Sequence, residues 1–261
     1  TLQIGDANRI AERTGIDVIA DFRRRDLAAG GEAAPLVPAF HAAAFGARGE
    51  ARAVVNIGGI GNVTLLHADG RVSGFDTGPG NCLMDLWVQE HQGVPYDEDG
   101  QLAASGSVEP KLLELLLQEP YLALPPPKST GRELFNRPWL QKVLERHPAA
   151  IADVQATLCE YTAATIAAGI TGAGLAPSQL LVCGGGAFNG ELMRRLALRL
   201  PGVPVRPTDS AGIPPEQVEA AMCAWLAHQF LEGLPGNLVA VTGARGPRVL
   251  GALHRGAVTK T

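Results

Sequence analysis

The chain has 261 residues, 46% hydrophobic and 18% charged, which is enough apolar material for a folded core of one or two domains and excludes a disordered protein. Its 26 acidic and 22 basic residues are spread along the whole length and sum to −4, so no basic surface for DNA or RNA is present and nucleic acid is not an expected partner. No apolar run approaches the roughly 18 residues of a membrane helix, and the first residues have neither the basic start nor the apolar stretch of an export signal.

The four cysteines, Cys82, Cys159, Cys183 and Cys223, are far apart, form no CxxC pair and sit in apolar stretches, the usage expected of free thiols in a reducing cytosol. The six histidines show no metal-ligand spacing, so no protein-held metal is expected, although a magnesium ion carried on nucleotide phosphates leaves little trace in sequence. The chain lacks an initiator methionine and begins inside what reads as folded sequence, which implies residues upstream.

In chain order, Arg9 to Asp21 reads as a short helix, a turn at Thr14-Gly15 and a strand over Ile16 to Ala20. A charged, glycine-containing loop follows from Asp21 to Gly31, then a helix over Pro35 to Phe45. Two β-rich runs, Ala53 to Ile57 and Asn62 to Leu66, flank Gly58-Gly59-Ile60-Gly61 and predict a hairpin. A third strand, Arg71 to Phe75, leads into Asp76-Thr77-Gly78-Pro79-Gly80-Asn81. Leu83, Leu86, Trp87 and Glu90 recur at helical spacing behind Asn81, a cap residue. Helices are expected over Val108 to Leu117 and Asp153 to Ile170, separated by a proline-rich loop and the polar run Lys128 to Glu133. A strand from Gln179 to Cys183 meets Gly184-Gly185-Gly186, and a helix starts near Asn189. A short strand from Val203 to Arg206 precedes a helix opened by Pro214-Pro215 and stopped at Gly233. A hairpin combined with βα units predicts an α/β fold.

Several residues in this framework are suited to chemistry, and each has a plainer reading beside it. The glycines of Asn56 to Asn62 let backbone N–H groups approach a phosphate, or merely satisfy a tight hairpin. The strand, glycine bend and helix start from Leu180 to Asn189 suit a nucleotide lying over the bend, or form an ordinary βα turn. It is not a full dinucleotide fingerprint, because the third glycine is replaced by Asn189. Lys128-Ser129-Thr130 is not a P-loop either, since prolines occupy the positions where its glycines belong. Asp76 stands where a strand ends and is suited to act as a general base or to cap the next helix. Arg23-Arg24-Arg25 could fork onto a phosphate or carboxylate, or be solvated. Glu216 and Glu219 complement a helix dipole without needing a function.

Taken together, residues 1–41, VVNIGGIGNVTLL, GFDTGPGNCLMD, PKSTGRELFN, DVQATL, LLVCGGGAFNGELM and LPGNLVAVTGA resemble, in order, the signature passages of the anhydro-N-acetylmuramic acid kinases. The resemblance implies a two-domain actin-like ATPase, ribonuclease H-like α/β fold, with nucleotide and sugar between the domains. It implies residues 1–25 as a remnant of the first domain, 26–233 as the second, and 234–261 as a segment returning to the first. Passages of GTSxDG and HGQT type that the family carries upstream are absent from this chain. By the same resemblance Gly58, Gly59, Gly61 and Asn62 would hold phosphates, Gly184, Gly185, Gly186 and Asn189 the adenosine end, and Asp76 would be the base. Arg24, Arg25, Gly78 and Glu219 would contact the amino sugar, and Arg24 or Arg25 would meet its lactyl carboxylate. ATP with Mg2+ would be the cosubstrate, in a cytoplasmic enzyme of cell-wall recycling that forms a homodimer. Another sugar or acetate kinase of that superfamily, or a non-catalytic nucleotide-binding module, is the alternative.

Overall fold

The computed structural model describes residues 5–257, so the first four residues of the opening motif and the last four of the tail lie outside the described residues. The chain forms two compact units, Thr1–Ala44 with Glu219–Thr261, and Phe45–Val218. The boundaries read from sequence were Asp26 and Gly233.

The unit Phe45–Val218 is built on β2 (Arg52–Ile57), β3 (Ile60–Leu66), β4 (Val72–Pro79), β5 (Leu180–Cys183) and β6 (Val205–Pro207), named here in chain order after β1 of the other unit. They form one sheet of order β4-β3-β2-β5-β6. β3 is antiparallel to both β2 and β4, while β5 is parallel to β2 and β6 to β5. All strands except β3 therefore run in one direction, and the chain leaves β2, β4 and β5 at the same edge. Each exit is glycine-rich: Gly58-Gly59, Gly78-Pro79-Gly80 and Gly184-Gly185-Gly186.

Strand alternation decides which face is dry. Ala53, Val55, Ile57, Val63, Leu65 and Phe75 face a continuous apolar core. Against it lies α8 (Ile151–Gly172), whose side chains from Val154 to Ala167 are buried around the helix except for Glu160, which pairs with Arg195 and Arg199, the pattern of a helix enclosed on nearly every side. Gly169 lets this helix approach β4, since a methyl group there would lie 2.8 Å from Thr77 Cγ2. Further helices complete this unit: α4 (Cys82–Gln92), α5 (Gln101–Ser105), α6 (Pro110–Leu117), α7 (Arg137–Arg146) and α9 (Gly190–Arg199).

The structure departs from the sequence reading at several places. β4 continues to Pro79, because Asp76, Gly78 and Pro79 pair with Asn62, Gly61 and Ile60 of β3. Asp76 is thus inside a strand and not at its end. Asn81 does not cap α4 through its side chain, which instead donates from Nδ2 to the Ile57 carbonyl at 3.2 Å. Helices α5 and α7 were not anticipated. Cys223 is exposed, unlike the other three cysteines.

The unit Thr1–Ala44 with Glu219–Thr261 holds α1 (Ala7–Thr14), β1 (Val18–Ala20), α2 (Arg24–Ala28), α3 (Val37–Phe45), α10 (Val218–Leu231), α11 (Val239–Thr242) and β7 (Ala252–His254). Helix α2 occupies part of what read as a loop. β1 pairs antiparallel with β7, and Leu36, Leu226 and Leu250 form a small core with Phe22, Met222 and Trp225. The polar centre is Asp26, which is fully buried and accepts from Asn237 Nδ2 at 2.7 Å, Thr242 Oγ1 at 2.9 Å and the Ala33 N–H at 2.8 Å. Burying a carboxylate is tolerable when its oxygens are this well supplied with donors. Asp26→Ala leaves the buried Ala33 N–H without an acceptor and the Asn237 and Thr242 donors with only their longer bonds to the Gly246 and Leu238 carbonyls, and should lower stability by about 3 kcal/mol, measured by denaturant unfolding; a loss below about 0.5 kcal/mol would mean that water or a neighbour replaces the carboxylate.

Burial also holds the fully buried His41 imidazole down at about 3 from its usual 6.5. The unfolded chain then binds a proton that the folded chain refuses. Stability contributed by neutral His41 is fully present above the unfolded value near 6.5 and declines as pH falls towards 3, by up to about 1.4 kcal/mol per pH unit. Comparing unfolding at pH 7 and pH 5 in the native chain and in His41→Leu should show a smaller loss in the variant; equal losses would assign the acid sensitivity elsewhere.

Candidate active site

The three glycine-rich exits are packed backbone against backbone. The Gly80 N–H donates to the Gly59 carbonyl at 2.9 Å, the Asn81 N–H to the Gly58 carbonyl at 2.8 Å, and the Cys82 N–H to the Gly59 carbonyl at 3.1 Å. Gly184 has φ +77°, and a methyl group on it would collide with Asn56 Oδ1 and the Ile57 carbonyl. Its N–H donates to the Pro215 carbonyl at 3.1 Å. Thr162 of α8 donates from Oγ1 to the Gly80 carbonyl at 2.8 Å, fixing the cluster from below. Loops at the C-terminal edge of such a sheet, where the strand order turns outward from β2 to β3 and to β5, are where α/β proteins place ligands.

Asp76 projects from the face opposite α8. Register puts Asn56, Asn62 and Asp76 in one row across β2, β3 and β4. Asp76 Oδ1 accepts from Asn62 Nδ2 at 3.0 Å and Oδ2 from the Thr130 N–H at 3.0 Å. Its backbone is held as firmly, by its N–H to the Lys128 carbonyl at 3.2 Å and by Tyr121 Oη donating to its carbonyl at 2.7 Å. Burial pushes the Asp76 carboxyl above its ordinary value, the Thr130 N–H and Asn62 amide pull it back, and the nearby Glu133 adds to the rise. A carboxyl raised in this way is a better proton acceptor than an exposed aspartate. Asn62 Oδ1, buried beside it, has no hydrogen-bond partner among the described residues, leaving an acceptor open for a hydroxyl or water.

Next to the glycine exits is a cavity of about 540 Å3 lined by Asn81, Asp85, Asp97, Asp99, Gly185 and Asn189, among others. Its walls are acidic. Burial first, and the neighbouring Asp97, push the Asp85 carboxyl up to about 6, against the pull of Arg132. Asp97 accepts from the Leu102 and Ala103 N–H groups and from Gln155 Nε2, and Asp99 accepts from the Gly190 N–H at 2.9 Å, joining this wall to the start of α9. Carboxylates repel phosphate but accept hydrogen bonds from ribose hydroxyls or an amino group, so the cavity suits the nucleoside end of a nucleotide better than its phosphates.

Of the residues singled out in sequence, Asp76, Asn62, Gly58, Gly59, Gly61, Gly184, Gly185, Gly186 and Asn189 all belong to the unit Phe45–Val218. Asn189 Oδ1 also caps α9 by accepting from the Leu192 N–H at 2.9 Å. Gly78 lies in β4 opposite Gly61, and its missing side chain would point at Leu122 and Thr165. Arg24, Arg25 and Glu219 belong to the other unit, where all three are exposed and Arg24 Nε lies 3.6 Å from Asp21 Oδ2. The sequence reading missed the grip of Lys128 and Thr130 on Asp76 and the acidic wall. The polar run after the prolines was the visible signal for the first. The second had none, because its residues come from separate helices and turns.

A sheet of this order and these strand senses, with glycine turns at one edge and a half-buried carboxylate among them, defines an α/β protein of the ribonuclease H-like, actin-like ATPase class. The sequence profile of the anhydro-N-acetylmuramic acid kinases matches residues 1–256, and the chain belongs to that family of ATP-dependent kinases of cell-wall recycling. It is 56% identical over 254 residues to the anhydro-N-acetylmuramic acid kinase of Xanthomonas campestris pv. campestris, covering 97% of this chain and 67% of that one. It is 56% identical over 255 residues to that of Pseudomonas paraeruginosa, covering 97% and 70%. Among solved structures, the ADPNP-bound activator of the 2-hydroxyisocaproyl-CoA dehydratase of Clostridium difficile aligns with a TM-score of 0.46 at 15% identity, covering 71% of this chain and 61% of that one. No helix among the described residues is long and apolar enough to cross a membrane.

Gly184→Ala tests the packing of the exits. It forces a side chain into a left-handed backbone and against Asn56, and should cost about 1–3 kcal/mol; unchanged unfolding would show that the bend has room to relax.

Proposed function

We propose that Asp76 is the general base of this kinase. It takes a proton from a water molecule, whose oxygen attacks the anomeric carbon of 1,6-anhydro-N-acetylmuramic acid. The bond from that carbon to the bridging oxygen breaks, and the oxygen, left on carbon 6, attacks the γ-phosphorus of ATP. The products are N-acetylmuramic acid 6-phosphate and ADP, so water, sugar and ATP are each consumed once. The observation that carries this reading is the setting of Asp76: a carboxylate fixed by Asn62 and Thr130, made more basic by burial, beside the open acceptor of Asn62.

In this reading Gly58, Gly59, Gly61 and Asn62 line the phosphates, where N–H groups offer charge stabilisation without reorganisation. Gly184, Gly185, Gly186 and Asn189 line the adenosine. Gly78 and Glu219 contact the sugar, and Arg24 or Arg25 its lactyl carboxylate. Mg2+ enters on the ATP and neutralises phosphate charge when bound. We assign residues 26–233 to the second domain of the fold, with 1–25 and 234–261 belonging to the first, and expect a cytoplasmic homodimer.

Mass spectrometry of products formed from the anhydro sugar and Mg-ATP in ¹⁸O-labelled water should find a 6-phosphorylated sugar with the label at carbon 1; label-free product would rule out water as the nucleophile. Asp76→Asn should lower kcat by about 10³-fold while ATP still binds. Because the base must be ionised, the native kcat should fall as pH drops through a value above the 3.8 of an ordinary aspartate. An unchanged rate in Asp76→Asn would remove it from this role.

A further inference from the structure

Arg132 has a place that its neighbours in the fold do not explain. It lies in the loop that also supplies the Thr130 N–H to Asp76, and it is exposed. The loop does not depend on its side chain. Backbone bonds from Leu134 and Phe135 to the Gly131 carbonyl and the buried Phe135 ring anchor that segment. The Arg132 guanidinium itself makes no hydrogen bond or ion pair among the described residues, whereas Arg52, Arg137 and Arg195 of the same unit each have a carboxylate partner. Instead it lies over the first glycine turn. A methyl group built on Gly59 would be 2.9 Å from both Nε and Nη2 of Arg132. One two-pronged edge of the guanidinium is therefore laid against the backbone of that turn, and only glycine leaves room for it. The positive charge is also felt at Cys82 and Asp85, which puts it on the side of the turn where the acidic cavity begins.

We propose that Arg132 binds the terminal phosphates of ATP, closing from one side the site whose floor is the Gly58-Gly59 turn. This rests on the reading of that turn as the phosphate loop. An arginine fork matches phosphate geometry and is permanently charged, and one without a protein partner that already lies against the glycine turn is positioned before the ligand arrives. Asp85 and the acidic wall beyond it set the direction, since a nucleotide with its nucleoside against the carboxylates presents its phosphates to Arg132. Because Arg132 and Thr130 share one loop, phosphate held by the first keeps the second on Asp76.

The test measures ATP and ADP binding by calorimetry and steady-state kinetics on the full chain, for Arg132→Ala, Arg132→Lys and Gly59→Ala. Arg132→Ala should weaken ATP by more than about tenfold and ADP less, and lower kcat/KM for ATP by about 100-fold, with an unchanged Tm and unchanged KM for the sugar. Arg132→Lys should recover part of the loss through charge without the fork. Gly59→Ala keeps the guanidinium but displaces it, at little structural cost because the obstacle is the end of a flexible side chain, and should reproduce the ATP defect. Native ATP binding in Arg132→Ala overturns the proposal. So does a defect confined to KM for the sugar, which would make Arg132 the partner of the substrate carboxylate, or an ATP defect that comes only with a lowered Tm. Asp76→Asn measured alongside separates the two readings: should it bind and turn over like the native chain while Arg132→Ala loses ATP, the base assignment fails and the phosphate assignment stands.

Discussion

Three backbone segments that leave the sheet at one edge can approach one another only where side chains are missing, and this constraint organises the unit Phe45–Val218. The carbonyls of Gly58 and Gly59 accept the N–H groups of Gly80, Asn81 and Cys82, which binds the end of β4 and the start of α4 to the β2–β3 hairpin. Gly184 can follow β5 closely past β2 only because it has no Cβ to meet Asn56. The outcome is a cluster of close-packed glycine turns, with the Arg132 guanidinium lying against Gly59. Surfaces of that kind favour anions, and they do so at a fixed geometry, since each turn is tied by hydrogen bonds to another. The parallel relation of β2, β4 and β5 is what brings these turns to one edge, so the antiparallel insertion of β3 between β2 and β4 is as much a part of the site as the glycines.

Two aspartates, one buried and one half-buried, show how surroundings divide structure from chemistry. Asp26 has three donors drawn from segments 211 and 216 residues away as well as from its own loop, and no face of it is open. It acts as an internal tie. Asp76 receives one donor on each oxygen and keeps capacity on both, beside an Asn62 oxygen that has none. Both could have been read from sequence as polar residues near a glycine. Only the second has the combination of partial desolvation, a fixed orientation and remaining acceptor capacity that general-base chemistry requires.

Much of this was legible in the residues themselves. The hairpin over Arg52–Leu66 and the long helix Ile151–Gly172 follow from local patterning, and glycine runs between strands marked the turns that form the site. What was not legible depends on distant partners. β4 extends through Asp76 to Pro79 because β3 continues beside it; Gly78 and Pro79 carry no strand signal of their own, and the paired neighbour overrides them. Asn81 looked like a cap and had the right spacing, yet the carbonyl of Ile57, 24 residues earlier, claims its amide. The acidic wall around Asp85, Asp97 and Asp99 is assembled from a helix and neighbouring turns, and each of its residues, taken alone, resembles a solvated surface charge.

The passage from Tyr121 to Phe135 connects these observations. It has little regular structure, yet it grips Asp76 at three atoms, the carbonyl through Tyr121 Oη, the N–H through the Lys128 carbonyl and Oδ2 through the Thr130 N–H, while the charge of Glu133 adds to the basicity of the carboxyl. A few residues later Arg132 overlies Gly59 and Phe135 enters the core. A strand can fix only the backbone of a catalytic residue. Orientation of the side chain needs donors from outside the sheet, and a loop anchored at both ends in the core is able to supply them without the mobility usual for loops. The apparent polar cargo behind the prolines is thus a second wall beside Asp76, and its hydrogen bonds make the position of that carboxylate and the approach to the glycine turn parts of one arrangement.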